Sequence, residues 1–347
     1  MGHTNYIEPA NHLKNISEYY LSVKLRDIAQ MNAEGKDVIN LGIGNPDLPP
    51  SEYVVNELCK AAARSDIHGY QPCTGIPELT QAYSSWYSRM YGVELSSSEI
   101  LPLCGSKEGI VQVSLTFLNP GDGVLIPNPG HLSYTSVSKL MNANVIPYDL
   151  IEADNWHPDF EELEKMDLSK VKLMWVNYPN MPTGGNASIE LFEKLVAFGK
   201  KHSIIICHDN SYSFILNDKP LSIFQVDGAK DICIELNSMS NSHNMAGWRM
   251  GMLSSNEQFV KWVIRVKSNT DCGQFKPLQM ATIKALDTPK QWHDNMNLLY
   301  EQRRLWAYKI LSIMGCTYFT NQAGLYVWAK IADDEKNSET LIDDLLH

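Results

Sequence analysis

The sequence predicts an α/β protein, a mainly parallel sheet with helices on both faces, from three observations. Short, nearly continuous apolar runs such as Ile204 to Cys207 alternate with amphipathic stretches such as Ile189 to Lys201. Strands that bury both sides carry such uninterrupted runs, and a parallel sheet needs a helix at each crossover. After Pro277 the pattern changes to long helices, Gln291 to Ile313 the longest, followed by a strand at Leu325 to Ala329. That shift implies a second, smaller α+β domain built from the N- and C-terminal parts.

Each element follows from period and punctuation. Ser17 to Ala33 alternates at helical spacing and stops at Gly35, and Val38 to Leu41 then reads as a short strand. Asn45-Pro46-Asp47-Leu48-Pro49-Pro50 forces an extended loop, because proline restricts both itself and the residue before it. Strands follow at Ile100 to Leu103, Val124 to Ile126, Asn144 to Tyr148, Leu173 to Val176, Ile204 to Cys207 and Ile232 to Leu236. Between them lie helices at Lys107 to Phe117, Leu132 to Met141, Ile189 to Lys201 and Gln258 to Lys267. Glu339 to Leu346 begins one more helix near the end of the chain.

Composition removes several function classes. With 40 acidic against 29 basic residues the formal charge of the 347-residue chain is -11, and no Lys/Arg block offers a surface to nucleic acid. The opening Met1 to Glu8 lacks a cationic start and an apolar core, and no segment approaches the roughly 18 apolar residues of a spanning helix. The chain therefore reads as soluble and cytoplasmic. Seven scattered cysteines without a C-x-x-C pair, several inside apolar runs, argue against disulfides. Without H-E-x-x-H or a close histidine pair backed by carboxylates, no metal is expected.

In an open α/β sheet, ligands bind beyond the carboxyl ends of strands, so the loops there carry the functional information. Cys104-Gly105-Ser106-Lys107-Glu108-Gly109 follows a strand and opens a helix, presenting free N–H groups, a hydroxyl and an ammonium to an anion. The same residues also make an ordinary helix cap. Asp209, in His208-Asp209-Asn210-Ser211-Tyr212, places a carboxylate at a strand end, where simple turn formation is the alternative. Ser238 to Gly251 combines small hydroxyl residues with Arg249, whose guanidinium can clamp an oxyanion; a structural turn around Trp248 is the alternative. Asn177-Tyr178-Pro179-Asn180-Met181-Pro182-Thr183-Gly184 forms a rigid loop at a further strand end. Gly42-Ile43-Gly44 lacks a third glycine and runs into prolines, a poor fit to a dinucleotide fold.

In their order these segments resemble the class I/II aminotransferases, fold type I pyridoxal-phosphate (PLP) enzymes of the aspartate aminotransferase superfamily, from about Leu41 to Ala329. The resemblance implies a seven-stranded, mainly parallel sheet in a large PLP-binding domain at 46–280. It implies a small domain from 1–45 and 281–347, the C-terminal portion of which reads as incomplete. It also implies transfer of an amino group between an amino acid and a 2-oxo acid.

Residue by residue, the resemblance places Gly44 beside the substrate carboxylate and Tyr70 across a homodimer, on the partner's cofactor phosphate. Gly105, Ser106 and Lys107 match the phosphate turn, with Ser238, Ser240 and Arg249 closing it from the other side. Asp209 matches the partner of the pyridine nitrogen, where a carboxylate keeps the ring protonated and electron-accepting. Tyr212 matches the residue beside the phenolic oxygen, and His131 the ring stacked on the cofactor.

Three departures stand out. The position of the family's Schiff-base lysine is Asn241, an amide without a nucleophilic amine or a useful titration near neutrality. The asparagine that donates to the phenolic oxygen is Met181, whose thioether cannot donate; Asn180 or Tyr212 are the neighbours able to cover that loss. The arginine for the substrate α-carboxylate has no counterpart before His347. The expectation is a PLP aminotransferase scaffold, impaired in this chain, that holds PLP or pyridoxamine phosphate noncovalently. The alternatives are a noncatalytic PLP- or amino-acid-binding relative, or a lyase or synthase of the same superfamily.

Overall fold

Eight strands form one sheet in the computed structural model, which describes residues 7–332 and 337–346. They are β1 (Ile100–Leu103), β2 (Gly123–Asn128), β3 (Asn144–Ile151), β4 (His157–Pro158), β5 (Val171–Asn177), β6 (Ile205–Asp209), β7 (Cys233–Ser238) and β8 (Gly251–Ser254). Their order is β1-β8-β7-β6-β5-β2-β3-β4. The central pairings β7/β6, β6/β5, β5/β2 and β2/β3 are parallel. The antiparallel β8 lies between β7 and β1, and β4 closes the far edge against β3. Seven of the strands have four residues or more; β4 is a two-residue addition to the expected seven.

The helices are α1 (Tyr20–Ala33), α2 (Glu52–Ala62), α3 (Pro77–Tyr91), α4 (Ser106–Phe117), α5 (Leu132–Leu140), α6 (Phe160–Lys165) and α7 (Ile189–His202). They continue with α8 (Met239–Ser242), α9 (Glu257–Lys267), α10 (Lys276–Leu286), α11 (Lys290–Ile313) and α12 (Ser338–Leu346). Alternate residues of each strand feed two cores. Met174, Val176 and Ile206 face Tyr83, Tyr87, Phe192 and Leu195 of α3 and α7. Leu173, Trp175 and Cys207 face Ile110, Val113, Tyr134 and Val260 of α4, α5 and α9. Both strand faces are thus buried, which is why these strands read as unbroken apolar runs. Helix α10 packs on α2 and α3. A separate cluster of Ile215, Met296 and Tyr300 joins α11 to the loop beyond β6.

Local chemistry explains the element boundaries. Asn256 and Ser188 cap α9 and α7 by accepting from Phe259 N (2.8 Å) and Leu191 N (3.1 Å). Gly92, at φ 65°, ends α3 in the left-handed conformation that costs glycine little. The expected strand at Val38 to Leu41 does not form. Ile39 and Leu41 are 82% and 76% exposed, and the segment has no neighbouring strand to pair with. The strand expected at Leu325 to Ala329 is reduced to β10 (Ala329–Lys330), paired with β9 (Thr317–Tyr318). Of the cysteines, Cys207, Cys233 and Cys316 are buried, whereas Cys59, Cys104 and Cys272 are exposed. No helix among the described residues is long and apolar enough to cross a membrane, and no potential metal-binding cluster occurs among them.

Candidate active site

The site lies beyond the carboxyl ends of β5, β6 and β7. Asp209 ends β6 and is 5% exposed. Its Oδ2 accepts from the Tyr134 hydroxyl (3.0 Å) and its Oδ1 from Ser211 Oγ (2.5 Å). Asn177, ending β5, donates its amide to the Asp209 carbonyl at 2.6 Å. Tyr134 is held by stacking on Trp175, centroids 5.0 Å apart and 5° from parallel. A carboxylate fixed from both oxygens suits one defined cationic or N–H partner.

The anion end is built around a left-handed glycine. Gly105 caps α4 at φ 81°, and a side chain there would run into the Arg249 guanidinium, its carbon only 2.9 Å from the added Cβ. Arg249 donates to Cys104 O (3.2 Å), Ala246 O (2.8 Å) and Ser240 Oγ (3.4 Å). Ser238 ends β7 and accepts from Ser240 N at 3.1 Å, and the two hydroxyls lie 2.9 Å apart. Ser211 Oγ is 3.1 Å from Ser106 Oγ. The Ser211 hydroxyl can therefore donate to either Ser106 Oγ or the Asp209 carboxylate, and it bridges the glycine turn and the carboxylate end. Arg249 in turn packs against Gly105, the neighbour of Ser106.

Asn241 is buried on α8, its Nδ2 pointing to Ser211 O at 3.5 Å, the outer limit of a hydrogen bond. Tyr212 lies edge-on to Tyr326, 6.1 Å between centroids; burial pushes its phenol pKa well up, and Tyr326 and Asp209 add to the shift. Gly44 sits against that same Tyr326, whose ring carbon would be 2.5 Å from any Cβ. His131 caps α5 and accepts from Ser133 N through Nδ1 at 3.0 Å, which makes the ring neutral with its proton on Nε2. Burial lowers its pKa; Asp209 opposes this and Lys107 adds to it.

The Lys107 ammonium lies 4.2 Å above the Tyr19 ring. Desolvation depresses its pKa, and Arg249 depresses it further. Met181 contributes its backbone N–H to Asn177 Oδ1 at 2.8 Å. Asn180 Oδ1 accepts from Thr183 Oγ1 at 2.7 Å, while its Nδ2 is buried without an acceptor among the described residues. Tyr70 stands apart, 93% exposed, and does not enter the pocket of its own chain.

Four contributors escaped sequence reasoning. Ser211 lies in His208-Asp209-Asn210-Ser211-Tyr212, two residues past Asp209, a spacing that lets its hydroxyl turn back to the carboxylate. Tyr134 and Tyr19 reach the site from elements whose sequences carry no site pattern, and Tyr326 from the segment expected as a small-domain strand.

These donors fit a phosphate monoester at one end and a protonated pyridine nitrogen at the other. Arg249, Ser106, Ser238, Ser240 and the α4 amides would hold the first, and Asp209 would meet the second. They do not supply an amine at Asn241. A mainly parallel sheet with a glycine turn, a strand-end carboxylate and a guanidinium beyond its strands matches the architecture of a fold type I PLP protein. The chain belongs to the class I and II aminotransferases, whose family model matches residues 36–346. These are PLP-dependent enzymes.

Among curated relatives, LL-diaminopimelate aminotransferase of Dehalococcoides mccartyi is 39% identical over 324 residues, covering 92% of this chain and 84% of the relative. That of Aquifex aeolicus is 35% identical, covering 96% and 87%. Among solved structures, apo BacF from Bacillus subtilis superposes with a TM-score of 0.93 at 34% identity, covering 98% of this chain and 87% of that one. An aspartate aminotransferase variant of Thermus thermophilus shares the fold, with a TM-score of 0.91 at 22% identity over 98% and 89% of the chains.

Proposed function

We propose that this chain holds PLP or pyridoxamine phosphate noncovalently and, as a transaminase of amino acids and 2-oxo acids, turns over very slowly. The observation that carries this reading is Asn241, a buried amide directed at Ser211 within an otherwise furnished pocket. Bound there, the cofactor supplies an electron-accepting ring that stabilises negative charge at the substrate Cα. The chain's own residues do the rest. Asp209, oriented by Tyr134 and Ser211, holds a proton on the ring nitrogen. Arg249, Ser106, Ser238 and Ser240 neutralise and orient the phosphate, with Gly105 leaving room for the guanidinium. Lys107 adds a cation at the same end, and neutral His131 offers a ring face. Tyr212 and Asn180 supply the polar groups on the side where Met181 cannot donate, and Gly44 borders the substrate side beside Tyr326. Asn241 has no proton to exchange near neutrality.

The working unit is a cytoplasmic homodimer in which the exposed Tyr70 reaches the partner's phosphate. Each subunit divides into the large domain at 46–280 and the small domain from 1–45 and 281–347. A purely ligand-binding role without turnover is the second reading, favoured by the coincidence of Asn241 with Met181, two losses of cofactor-directed polarity in one site.

The test is Asn241→Lys. The variant should gain a yellow, borohydride-reducible link to PLP at that lysine. Absence of the link in a folded variant that binds PLP contradicts the assignment of position 241. The names of the relatives make LL-diaminopimelate the first amino donor to offer the variant.

A further inference from the structure

A charged cluster lies directly behind the anion turn and takes no part in the site described above. Lys267, the last residue of α9, is 1% exposed. Its ammonium donates to Glu108 Oε1 at 2.8 Å and pairs with Asp271. Burial alone would lower the Lys267 pKa, but the hydrogen bonds to Asp271 and Glu108 outweigh it and the pKa ends raised. The other oxygen of Glu108 accepts the backbone N–H of Cys104, and Gln112 donates to Glu108 from the next turn of α4 at 3.3 Å. On the opposite side of the Cys104 residue, Arg249 holds its carbonyl at 3.2 Å. Gln274 ties the flanking Leu103 and Arg249 carbonyls together at 2.8 and 3.0 Å.

We infer that Lys267 is a positioning residue for cofactor binding: through Glu108 it fixes the Cys104–Ser106 turn and offsets two carboxylates behind it. The physical case has two parts. Glu108 can grip the Cys104 N–H only while its carboxylate is held in place, and the buried ammonium supplies that hold. Glu108 and Asp271 would otherwise put two uncompensated negative charges behind a turn meant to receive a dianion. Lys267 is thus the counter-charge that lets an acidic residue sit in the first turn of an anion-binding helix. This inference rests on reading the Gly105 turn as the phosphate site.

The test compares the full chain with Lys267→Met, Lys267→Arg and the double variant Lys267→Met/Glu108→Gln. Two readouts are taken: amide hydrogen exchange over Leu101–Ile110 without ligand, and calorimetric titration with PLP. Lys267→Met should exchange faster at Cys104 to Ser106 while exchange in β5 stays slow. Its PLP affinity should fall roughly tenfold, the scale of one uncompensated charge near an anion in a medium of intermediate dielectric. Lys267→Arg should retain most of the affinity. The double variant removes one negative charge with the positive one and keeps an acceptor for Cys104, so it should recover most of what the single variant loses.

A general packing role predicts the opposite, a double variant as poor as the single one, and that result overturns the inference. So does unchanged exchange at Cys104 to Ser106 in Lys267→Met. If the unaltered chain does not bind PLP, the phosphate-site reading fails, and the exchange measurement alone still decides whether Lys267 holds the turn.

Discussion

The two ends of the pocket are built to different standards. At the anion end, Arg249, Ser106, Ser238 and Ser240 interlock, and the hydroxyl chain through Ser211 continues to Asp209, itself held on both oxygens. At the other end, among the described residues, the Asn241 side chain makes one hydrogen bond, at 3.5 Å, and Met181 bonds through its backbone N–H. Binding and orientation are distributed over many groups, so they survive the loss of one. The amine that moves protons in an aminotransferase is a single group, whereas position 241 here carries an amide. A scaffold of this kind can therefore lose turnover and keep its ligand.

The strongest way to sharpen that contrast is to restore the amine. Asn241→Lys should raise the rate of the amino-transfer half-reaction by about 10²–10⁴-fold, the usual worth of a positioned general base. Single-turnover absorbance changes with an amino-acid donor measure it, and affinity for PLP should change far less than rate.

A second variant addresses the sheet beneath both ends. His208 and Glu235 are fully buried on adjacent strands, with Glu235 also accepting from Tyr87 (2.6 Å), Ser222 (2.9 Å) and Ile223 N (2.9 Å). His208 places one ring nitrogen 2.8 Å from Glu235 and the other 3.0 Å from the Tyr178 carbonyl. Removing one partner of such a pair leaves an uncompensated charge, so His208→Ala should cost about 3–5 kcal/mol of unfolding free energy in denaturant titrations. The placement of Asp209 and Ser238 should suffer together, because β6 and β7 carry them.

A third variant separates the ends. Arg249→Ala should weaken PLP binding roughly 10–100-fold, the scale of one or two charge-assisted hydrogen bonds. It should leave the affinity for a phosphate-free pyridoxal analogue nearly unchanged. Equal loss for both ligands would break the division into two ends.

The smallest effect is one of pH and belongs to the Asn241 end. His243 and His293 pack edge to face at 4.9 Å just beyond α8. Burial lowers both pKa values, that of His293 to about 4 and that of His243 well below its ordinary value, with the neighbouring histidine adding to the latter shift. A depressed folded-state pKa means the unfolded chain binds more protons, so the stability these neutral rings allow is present above about 6.5. For His293 it is lost as pH falls from there through about 4. Glu235 has a lowered pKa in the folded protein, where burial opposes ionisation and His208 overcomes it, so its contribution is likewise lost on acidification. The fall in melting temperature between pH 7 and pH 4 should be shallower in His293→Phe than in the unaltered chain, with the His243 and Glu235 contributions remaining.

Much of this was legible in the sequence, for identifiable reasons. Asp209 and Ser106 stand at or just beyond strand ends and Arg249 just before β8, and the strands read clearly because both of their faces are buried. The sheet edges were less legible. Strand β4 has two residues, and β8 is a four-residue Gly-Met-Leu-Ser run whose strand character comes from pairing with β7 and β1. Val38 to Leu41 has strand-like residues and no neighbour to pair with. Tyr134 and Lys267 could not be read from spacing, because their partners Asp209 and Glu108 are 75 and 159 residues away.

The most direct test of noncovalent retention is a PLP titration of the unaltered chain, followed by borohydride reduction and intact mass measurement. The account predicts saturable binding, weakened in Arg249→Ala, and a protein mass unchanged by reduction. Failure to bind, or a cofactor covalently fixed to any lysine of this chain, would contradict it.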